Sequence, residues 1–363
     1  VITAYGSAEN AVGALRAGAF DYLTKPVDLK QFRQVVASAV QGMGSAAAAP
    51  ASADASFRRY FRVSQPGIAS RIVMDAPPGR EDVRPFLQIT GLLSGCGVHV
   101  PQVLEADTAR GLLLLEDLGS VQLLSRLQSG ADPEPLYGDA LDALARIQLR
   151  GAEAAAQLPS YGDAVLRREM RLMPEWFCTR HLGLELDVAE QAVIESTENL
   201  LVAESIAQPA VFVHRDYHSR NLMVLPERSP GILDYQDALR GPATYDLVSL
   251  LKDCYITWPR ARVERWVEAF RERLRRAGGA ALAGADLQSY LRCFDLIGLQ
   301  RHIKVLGIFA RLCYRDGKSG YVEDTPRFIA YLRRVCSRYN ALAPLARLLD
   351  QLEDRAQQVG YTF

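Results

Sequence analysis

The chain has 363 residues, of which 49% are hydrophobic, and its 42 Lys and Arg residues balance 42 Asp and Glu residues. It has no net charge to attract nucleic acid or an anionic membrane, no apolar run near the ~20 residues of a membrane helix and no secretory signal, so we expect a cytoplasmic chain without such partners. Six scattered cysteines predict buried thiols in a reducing compartment, and nothing in the residues indicates an obligate protein partner.

Residues 1–40 form a segment of their own. In order they predict a strand end with Thr3, a helix, a strand ending at Lys25 and Pro26, and an amphipathic helix, which together resemble the last part of a response-regulator receiver domain. The phospho-acceptor Asp and early acidic pair of that family have no counterpart here, and a segment of this size buries little apolar surface alone. We expect a fusion or a misassembled gene without activity of its own, although its last helix can pack on the next domain. Residues 41–51, rich in Ala and Gly, predict a linker.

Residues 52–119 are predicted to form a small β-rich domain. Its elements, in chain order, are strands over residues 52–63 and 70–75, a helix over residues 81–94, and a buried strand over residues 111–119 that runs into a polar turn. Alternation in the first strand places Phe57, Arg59 and Phe61 on one face.

Residues 120–363 are predicted to form a larger, mostly helical domain. The helical patterns cover residues 136–150, 164–180, 188–207, 245–254, 261–277, 287–314 and 326–339. The fold class is therefore α+β, with β structure early and helices late.

Two polar loops interrupt short apolar runs in the middle of this domain. The first lies in VFVHRDYHSRNLMVL, residues 211–225, and the second in GILDYQDA, residues 231–238. Phosphoryl transfer from a metal-bound nucleotide needs an acceptor for the hydroxyl proton and oxygen ligands for magnesium. We assign Asp216 to the first task and Asn221 and Asp234 to the second, with His214 as a brace for the loop. The alternatives are that these residues are turn residues or caps, or that His214 and His218 bind zinc; the second is weakened by the missing Glu of the protease signature.

The same loops resemble those of the aminoglycoside phosphotransferase and choline kinase superfamily, whose bilobal fold is that of protein kinases. Within it, the runs DASFRRYFR, GLLLLEDLG and DLIGLQRHIKVLGIFARLCYRDGK resemble the bacterial anomeric kinases of N-acetylmuramate and N-acetylglucosamine in peptidoglycan recycling. The resemblance implies ATP and Mg²⁺ as cofactors, a hinge at Glu116 to Leu118 whose backbone meets adenine, and a structural brace at Asp246. Asp237 is either a further metal-supporting group or a turn residue.

The small domain departs from the kinase pattern in one respect. Between Lys30 and Lys252 the chain contains no Lys, although kinases place a phosphate-binding Lys on the third strand. Because arginine binds phosphate through a planar fork, the candidates to replace it are Arg58, Arg59 and Arg62. The G-x-G-x-x-G fingerprint is also absent, and the Ser56 hydroxyl with the backbone amides of its loop is the candidate for that role. The alternative is that these arginines are a solvated strand face.

The acceptor is predicted to be a small-molecule amino sugar. Candidate residues to bind it are Glu169, Arg180, Arg301, His302 and Lys304. A lactyl carboxylate, as in muramate, favours Arg or His as a partner. Two other hypotheses stay open: an aminoglycoside or other small alcohol as acceptor, which for a polycation requires an acidic pocket, and a non-catalytic nucleotide-binding module.

Overall fold

The computed structural model of the chain describes residues 2–3, 23–24, 47–52, 57–65 and 67–358. The chain divides into two compact units: Val1–Leu87 with Pro101–Leu118, and Gln88–Val100 with Gly119–Phe363. In the receiver-like segment, strands β1 (Ile2–Thr3) and β2 (Leu23–Thr24) pair in parallel. The other elements predicted for residues 1–40 lie outside the described residues.

The first unit contains a five-stranded antiparallel sheet. Its strands are β3 (Ala47–Ser52), β4 (Arg59–Gln65), β5 (Ile68–Asp75), β6 (Val103–Asp107) and β7 (Leu112–Glu116), in the order β3-β4-β5-β7-β6. Met74 lies opposite Leu113, and both side chains are buried, as is Leu115. Alternation along β7 thus turns every second leucine into the core.

Strand β3 corrects the linker prediction. Residues 47–50, which the sequence assigned to the linker, pair antiparallel with β4. Backbone hydrogen bonds need no particular side chain, so the small residues that suggested a linker can also form a strand. Strand β3 lies at the edge of the sheet, where Pro50 is tolerated.

The second unit is mostly helical. Helix α1 (Arg84–Gly95) begins in the first unit and continues into the second. The stripe expected from the sequence, Val83, Phe86, Thr90 and Leu93, is buried, with Val83 directly before the helix. The following helices are α2 (Leu123–Gln128), α3 (Pro133–Arg150), α4 (Ala152–Ala156), α5 (Asp163–Met170), α6 (Val188–Ile206), α7 (Tyr245–Leu251), α8 (Arg260–Arg276), α9 (Leu287–Asp316), α10 (Thr325–Cys336) and α11 (Ala343–Gln358). The predicted α+β class is confirmed. No helix among the described residues has the length and apolar character needed to cross a bilayer.

Helix α9 is the central element of this unit. It begins at the N-cap Asp286, ends before the left-handed Gly317, and packs on α6, α7 and α10. It also packs on a π-helix, Met173–His181, which replaces the second half of the single helix predicted over residues 164–180. Pro174 lies at the start of the π-helix and has no N–H to continue the α-helical hydrogen bonds.

Four short strands carry the polar loops. Strand β8 (Ala210–Val213) pairs with β11 (Leu239–Pro242), and β9 (Leu222–Met223) pairs with β10 (Gly231–Ile232). The strands predicted around the two motifs are therefore present. Residues 214–221 join β8 to β9, and Asp234 lies two residues beyond β10.

Candidate active site

The loop of residues 214–221 is tightly turned. The His218 N–H donates to the Asp216 carbonyl at 3.0 Å, and the Asn221 N–H donates to the His218 carbonyl at 2.9 Å. Arg215 has a φ of 79°, in the left-handed region that non-glycine residues rarely adopt. Such a backbone conformation requires support from surrounding groups.

Asp246 supplies that support at the start of the loop. Its carboxylate, 1% exposed in the first turn of α7, accepts the backbone N–H groups of His214 at 2.7 Å and Arg215 at 3.0 Å. Burial raises the pKa of Asp246 to about 7, although both N–H groups favour the charged form. The sequence placed a brace at this residue, and the hydrogen bonds show how Asp246 contacts the loop.

The His214 side chain is fully buried and packs edge-on against the rings of Tyr217 and Tyr235. Burial lowers its pKa to about 4, so the ring is neutral at pH 7. Its surroundings suit packing beneath the loop and do not suit proton transfer to a substrate.

Sequence reasoning missed a second support, Asp253. This buried carboxylate accepts the backbone N–H of Ser219 at 2.9 Å and that of Tyr255 at 3.0 Å. The sequence signal for such a support is an Asp within an apolar stretch that follows a helix. A carboxylate buried there needs hydrogen-bond donors, which backbone N–H groups can supply.

Asn221 and Asp234 lie side by side. The Asn221 amide nitrogen donates to the Asp216 carbonyl at 3.0 Å and to the Asp234 carboxylate at 3.3 Å. Asp234 has a φ of 62°, is exposed, and accepts from the Gln236 amide at 2.8 Å. Because the amide nitrogen makes these two hydrogen bonds, the amide oxygen of Asn221 is left as a donor for a metal ion, as is the carboxylate of the neighbouring Asp234. One amide oxygen and one carboxylate suit a magnesium ion that keeps waters and binds substrate phosphates.

Cations surround Asp216. Burial by itself would raise the pKa of this half-buried carboxyl, but positively charged side chains, Lys304 first and also Arg301 and Arg215, hold it below its usual value. The group is therefore ionised at neutral pH and able to accept a proton. Arg301, only 3% exposed, donates to the Cys254 sulfur at 3.5 Å.

Glu169 holds part of this cation cluster in place. Its carboxylate is 6% exposed and lies 2.7 Å from an Arg215 nitrogen and 3.1 Å from the Lys304 ammonium. The Tyr161 hydroxyl also donates to it, and Lys304 donates to the Tyr245 hydroxyl at 3.2 Å. Glu169 and Lys304 are thus engaged with each other within the helical unit.

The other predicted acceptor residues do not join this cluster. His302 is fully buried, stacks on Tyr331 with ring centroids 4.6 Å apart, and lies 3.5 Å from the Lys252 carbonyl oxygen. Residues adjacent on a helix point in different directions, so His302 faces α10 while Arg301 and Lys304 act on Asp216. Arg180 is exposed near the end of the π-helix and forms no hydrogen bond or ion pair with described residues.

The three candidate phosphate-binding arginines of the first unit each pair with a carboxylate. Arg58 lies 3.2 Å from Glu81, Arg59 pairs with Asp75, and Arg62 binds Asp117 through two hydrogen bonds of 2.6 and 2.9 Å. Their charges are met inside the sheet unit, which does not favour the prediction that one of them replaces the missing Lys. Ser56 lies outside the described residues.

The predicted hinge residues continue the sheet. The Glu116 N–H donates to the Gln102 carbonyl at 2.9 Å, and its carboxylate accepts the Gln102 N–H at 3.1 Å. The Leu118 side chain is buried. The Glu116 N–H is therefore already hydrogen-bonded within the unit. A hydrogen bond to adenine requires backbone groups that follow this N–H in the chain.

A five-stranded sheet unit, a helical unit and a braced loop with an ionised Asp followed by an Asn and a second Asp define a protein of the kinase-like phosphotransferase class. Residues 47–286 match the model of the phosphotransferase enzyme family, and the chain belongs to that family. The predictions of a kinase-like fold and of an enzyme that transfers a phosphoryl group to an alcohol are confirmed.

Known proteins refine the comparison. The chain is 48% identical, over 312 residues, to the N-acetylmuramate/N-acetylglucosamine kinase of Pseudomonas aeruginosa, covering 85% of this chain and 89% of that protein. A Neisseria meningitidis protein of the same name is 44% identical and covers 86% and 93% of the two chains. Aminoglycoside phosphotransferase APH(2'')-Ib, solved with ADP, shares the fold with a TM-score of 0.55 at 13% identity, covering 85% of this chain and 99% of its own.

The receiver-like segment has its own relative. It is 61% identical over 41 residues to the response regulator protein PilR of Pseudomonas aeruginosa, which corresponds to 11% of this chain and 9% of that protein. The resemblance noted for residues 1–40 is thereby confirmed.

Proposed function

We propose that the protein uses ATP to phosphorylate the anomeric hydroxyl of N-acetylmuramate and N-acetylglucosamine, giving the sugar 1-phosphate in peptidoglycan recycling. The observation that carries the proposal is the 48% identity, over 85% of the chain, to a kinase named for both sugars. The braced loop and the ionised Asp216 support the reaction type.

Asp216 is the proposed proton acceptor. It takes the proton of the C1 hydroxyl as that oxygen bonds to the terminal phosphorus of ATP, and the bond from that phosphorus to the bridging oxygen breaks to release ADP. Lys304 and Arg301 keep the Asp216 carboxylate charged before the reaction. Asp246 and Asp253 hold its loop through three backbone N–H groups, those of His214, Arg215 and Ser219.

Asn221 and Asp234 are the proposed magnesium ligands. The Asn221 amide group lies beside the Asp234 carboxylate, and both side chains carry hard oxygen donors. A bound ion there would neutralise charge on the transferred phosphoryl group. The Asp216 carbonyl fixes the Asn221 amide, so the two tasks of the loop are mechanically linked.

The charges around Asp216 favour a sugar over an aminoglycoside. A polycationic acceptor requires an acidic pocket, whereas the charged side chains that hold the pKa of Asp216 down are Lys304, Arg301 and Arg215, two of which also pair with Glu169. A neutral or anionic acceptor avoids this repulsion.

Product analysis tests the proposal. The purified chain is incubated with Mg²⁺ and ATP and with N-acetylmuramate, N-acetylglucosamine, kanamycin or choline, and the products are identified by phosphorus NMR. We expect a sugar 1-phosphate from both amino sugars and none from the methyl glycoside of N-acetylglucosamine, which lacks the anomeric hydroxyl. A product phosphorylated at another hydroxyl, or turnover of kanamycin alone, contradicts the proposal.

Residues 1–40 take no part in the proposed reaction. A chain lacking residues 1–44 keeps strand β3, which begins at Ala47. We expect this shortened chain to retain the wild-type kcat, and loss of activity in a folded shortened chain would assign the segment a role.

A further inference from the structure

A cavity of about 300 Å³ lies beside the catalytic loop, within the helical unit. Its size falls at the lower end of the range for small-molecule sites. The polar residues that line it are Gln122, Ser125, Gln128, Arg220, Tyr255, Asp324 and Arg327. One of them, Arg220, belongs to the same loop as Asp216 and immediately precedes Asn221.

The Arg220 guanidinium is held in place without being neutralised. It lies over the Tyr255 ring at 4.4 Å from the centroid, a cation–π contact. Tyr255 is itself fixed, because its N–H donates to Asp253 and its ring packs edge-on to His218. Among the described residues, Arg220 forms no ion pair, and its side chain is exposed.

The remaining charges of the cavity cancel. Arg327 lies 3.2 Å from Asp324 and also donates to the Cys254 carbonyl. Gln122 and Ser125 add uncharged hydrogen-bonding groups. Of the two arginines that line the cavity, Arg327 thus has an ion-pair partner and Arg220 has none among the described residues, although Asp253 acts on Arg220 from a greater distance.

We propose that this cavity receives the lactyl carboxylate of N-acetylmuramate and that Arg220 binds it, so that Arg220 sets the preference between the two sugars. The inference rests on the proposed function. N-acetylmuramate differs from N-acetylglucosamine by a carboxylate-bearing substituent on C3, while the reacting hydroxyl is on C1. A site for N-acetylmuramate needs one group at the C1 hydroxyl and, some distance away, a cation for the carboxylate of the C3 substituent. Asp216 and Arg220, which belong to the same turned loop, supply these two groups.

The chemistry of Arg220 suits a carboxylate. The guanidinium presents parallel N–H groups that match two carboxylate oxygens. Stacking on Tyr255 restricts the side chain in advance, which reduces the entropy lost when the ligand binds. The uncharged N-acetylglucosamine has no group that would gain from this cation.

Steady-state kinetics with both sugars test the proposal. We expect Arg220→Gln to lower the ratio of kcat/KM for N-acetylmuramate over N-acetylglucosamine about 10- to 100-fold, the range for losing hydrogen bonds to a charged group. Arg220→Lys keeps the charge and should restore part of the ratio. The matched control is Arg334→Gln, because Arg334 is also exposed and lies over a tyrosine ring, that of Tyr331.

The outcomes separate this inference from the proposed function. A ratio unchanged within threefold in Arg220→Gln, while wild type phosphorylates both sugars, overturns the inference alone. An equal fall for both sugars with a raised KM for ATP also overturns it, by assigning Arg220 to the nucleotide. A wild-type protein that phosphorylates neither sugar overturns both proposals.

Discussion

Replacing Glu169 by Gln tests the buried ion cluster beneath the catalytic loop. The Glu169 carboxylate connects helix α5 to Arg215 of the loop at 2.7 Å and to Lys304 of α9 at 3.1 Å. Glutamine keeps the shape of the side chain and removes its charge. Two cations that were paired in a poorly solvated environment then lack a carboxylate.

The expected loss of stability follows from the burial of the partners. Removing one member of a buried ion pair costs about 3–5 kcal/mol, because the remaining charge is left uncompensated. The side chains of Glu169 and Lys304 are 8% and 9% exposed, but that of Arg215 is 23% exposed, which lets water screen part of its charge. We therefore expect a loss near the lower limit, about 3 kcal/mol, and a fall in Tm of roughly 6–12 °C.

Thermal unfolding followed by circular dichroism measures this effect. Glu204→Gln is the matched control, because Glu204 pairs with Arg292 at the surface, where side chains are 27% and 40% exposed. A surface pair contributes about 0–1 kcal/mol, so the control should lower the Tm by no more than a few degrees. If Glu169→Gln lowers the Tm no more than the control does, the reasoning about the buried cluster is wrong.

Two further predictions concern helix α9. Asp295 is fully buried, and burial would raise its pKa, but Lys252 and other cations lower the pKa to about 2. The stabilisation that the ionised Asp295 provides is therefore present above about pH 4 and is lost as the pH falls towards 2. Urea unfolding should therefore show that Asp295→Asn costs about 2 kcal/mol at pH 6 and less at pH 3; an equal cost at both would contradict this. A Cβ on Gly307 would lie 2.3 Å from the Leu172 backbone, so Gly307→Ala should cost about 1–3 kcal/mol, whereas Gly91→Ala, with open space around it, should be neutral or stabilising. Equal Tm values for the two glycine variants would refute the packing argument.

The catalytic loop was predictable because its information is local. Asp216 and Asp234 follow short apolar runs that form strands β8 and β10, and Asn221 directly precedes strand β9. The pairing of β9 with β10 brings Asn221 and Asp234 together. Asp246 was placed as a brace by resemblance, and its hydrogen bonds to two N–H groups of the loop have the form expected of a brace.

Pairings between distant parts of the chain were not predictable in the same way. Arg62 meets Asp117 across 55 positions in the sequence, and alternation alone gives the face of Arg62 without its partner. The π-helix arises where Gly307 of α9 lies close to the Leu172 backbone, a contact that no window of sequence near residue 172 contains.

The role of Asp216 is the central claim, and the kcat of Asp216→Asn with N-acetylglucosamine tests it most directly. Asparagine has nearly the same size and cannot accept the proton, so we expect kcat to fall about 10²- to 10⁴-fold while the Kd for ATP changes little. Asp139→Asn, an exposed position on α3, is the matched control and should keep the wild-type kcat. A kcat for Asp216→Asn within tenfold of wild type would contradict the account.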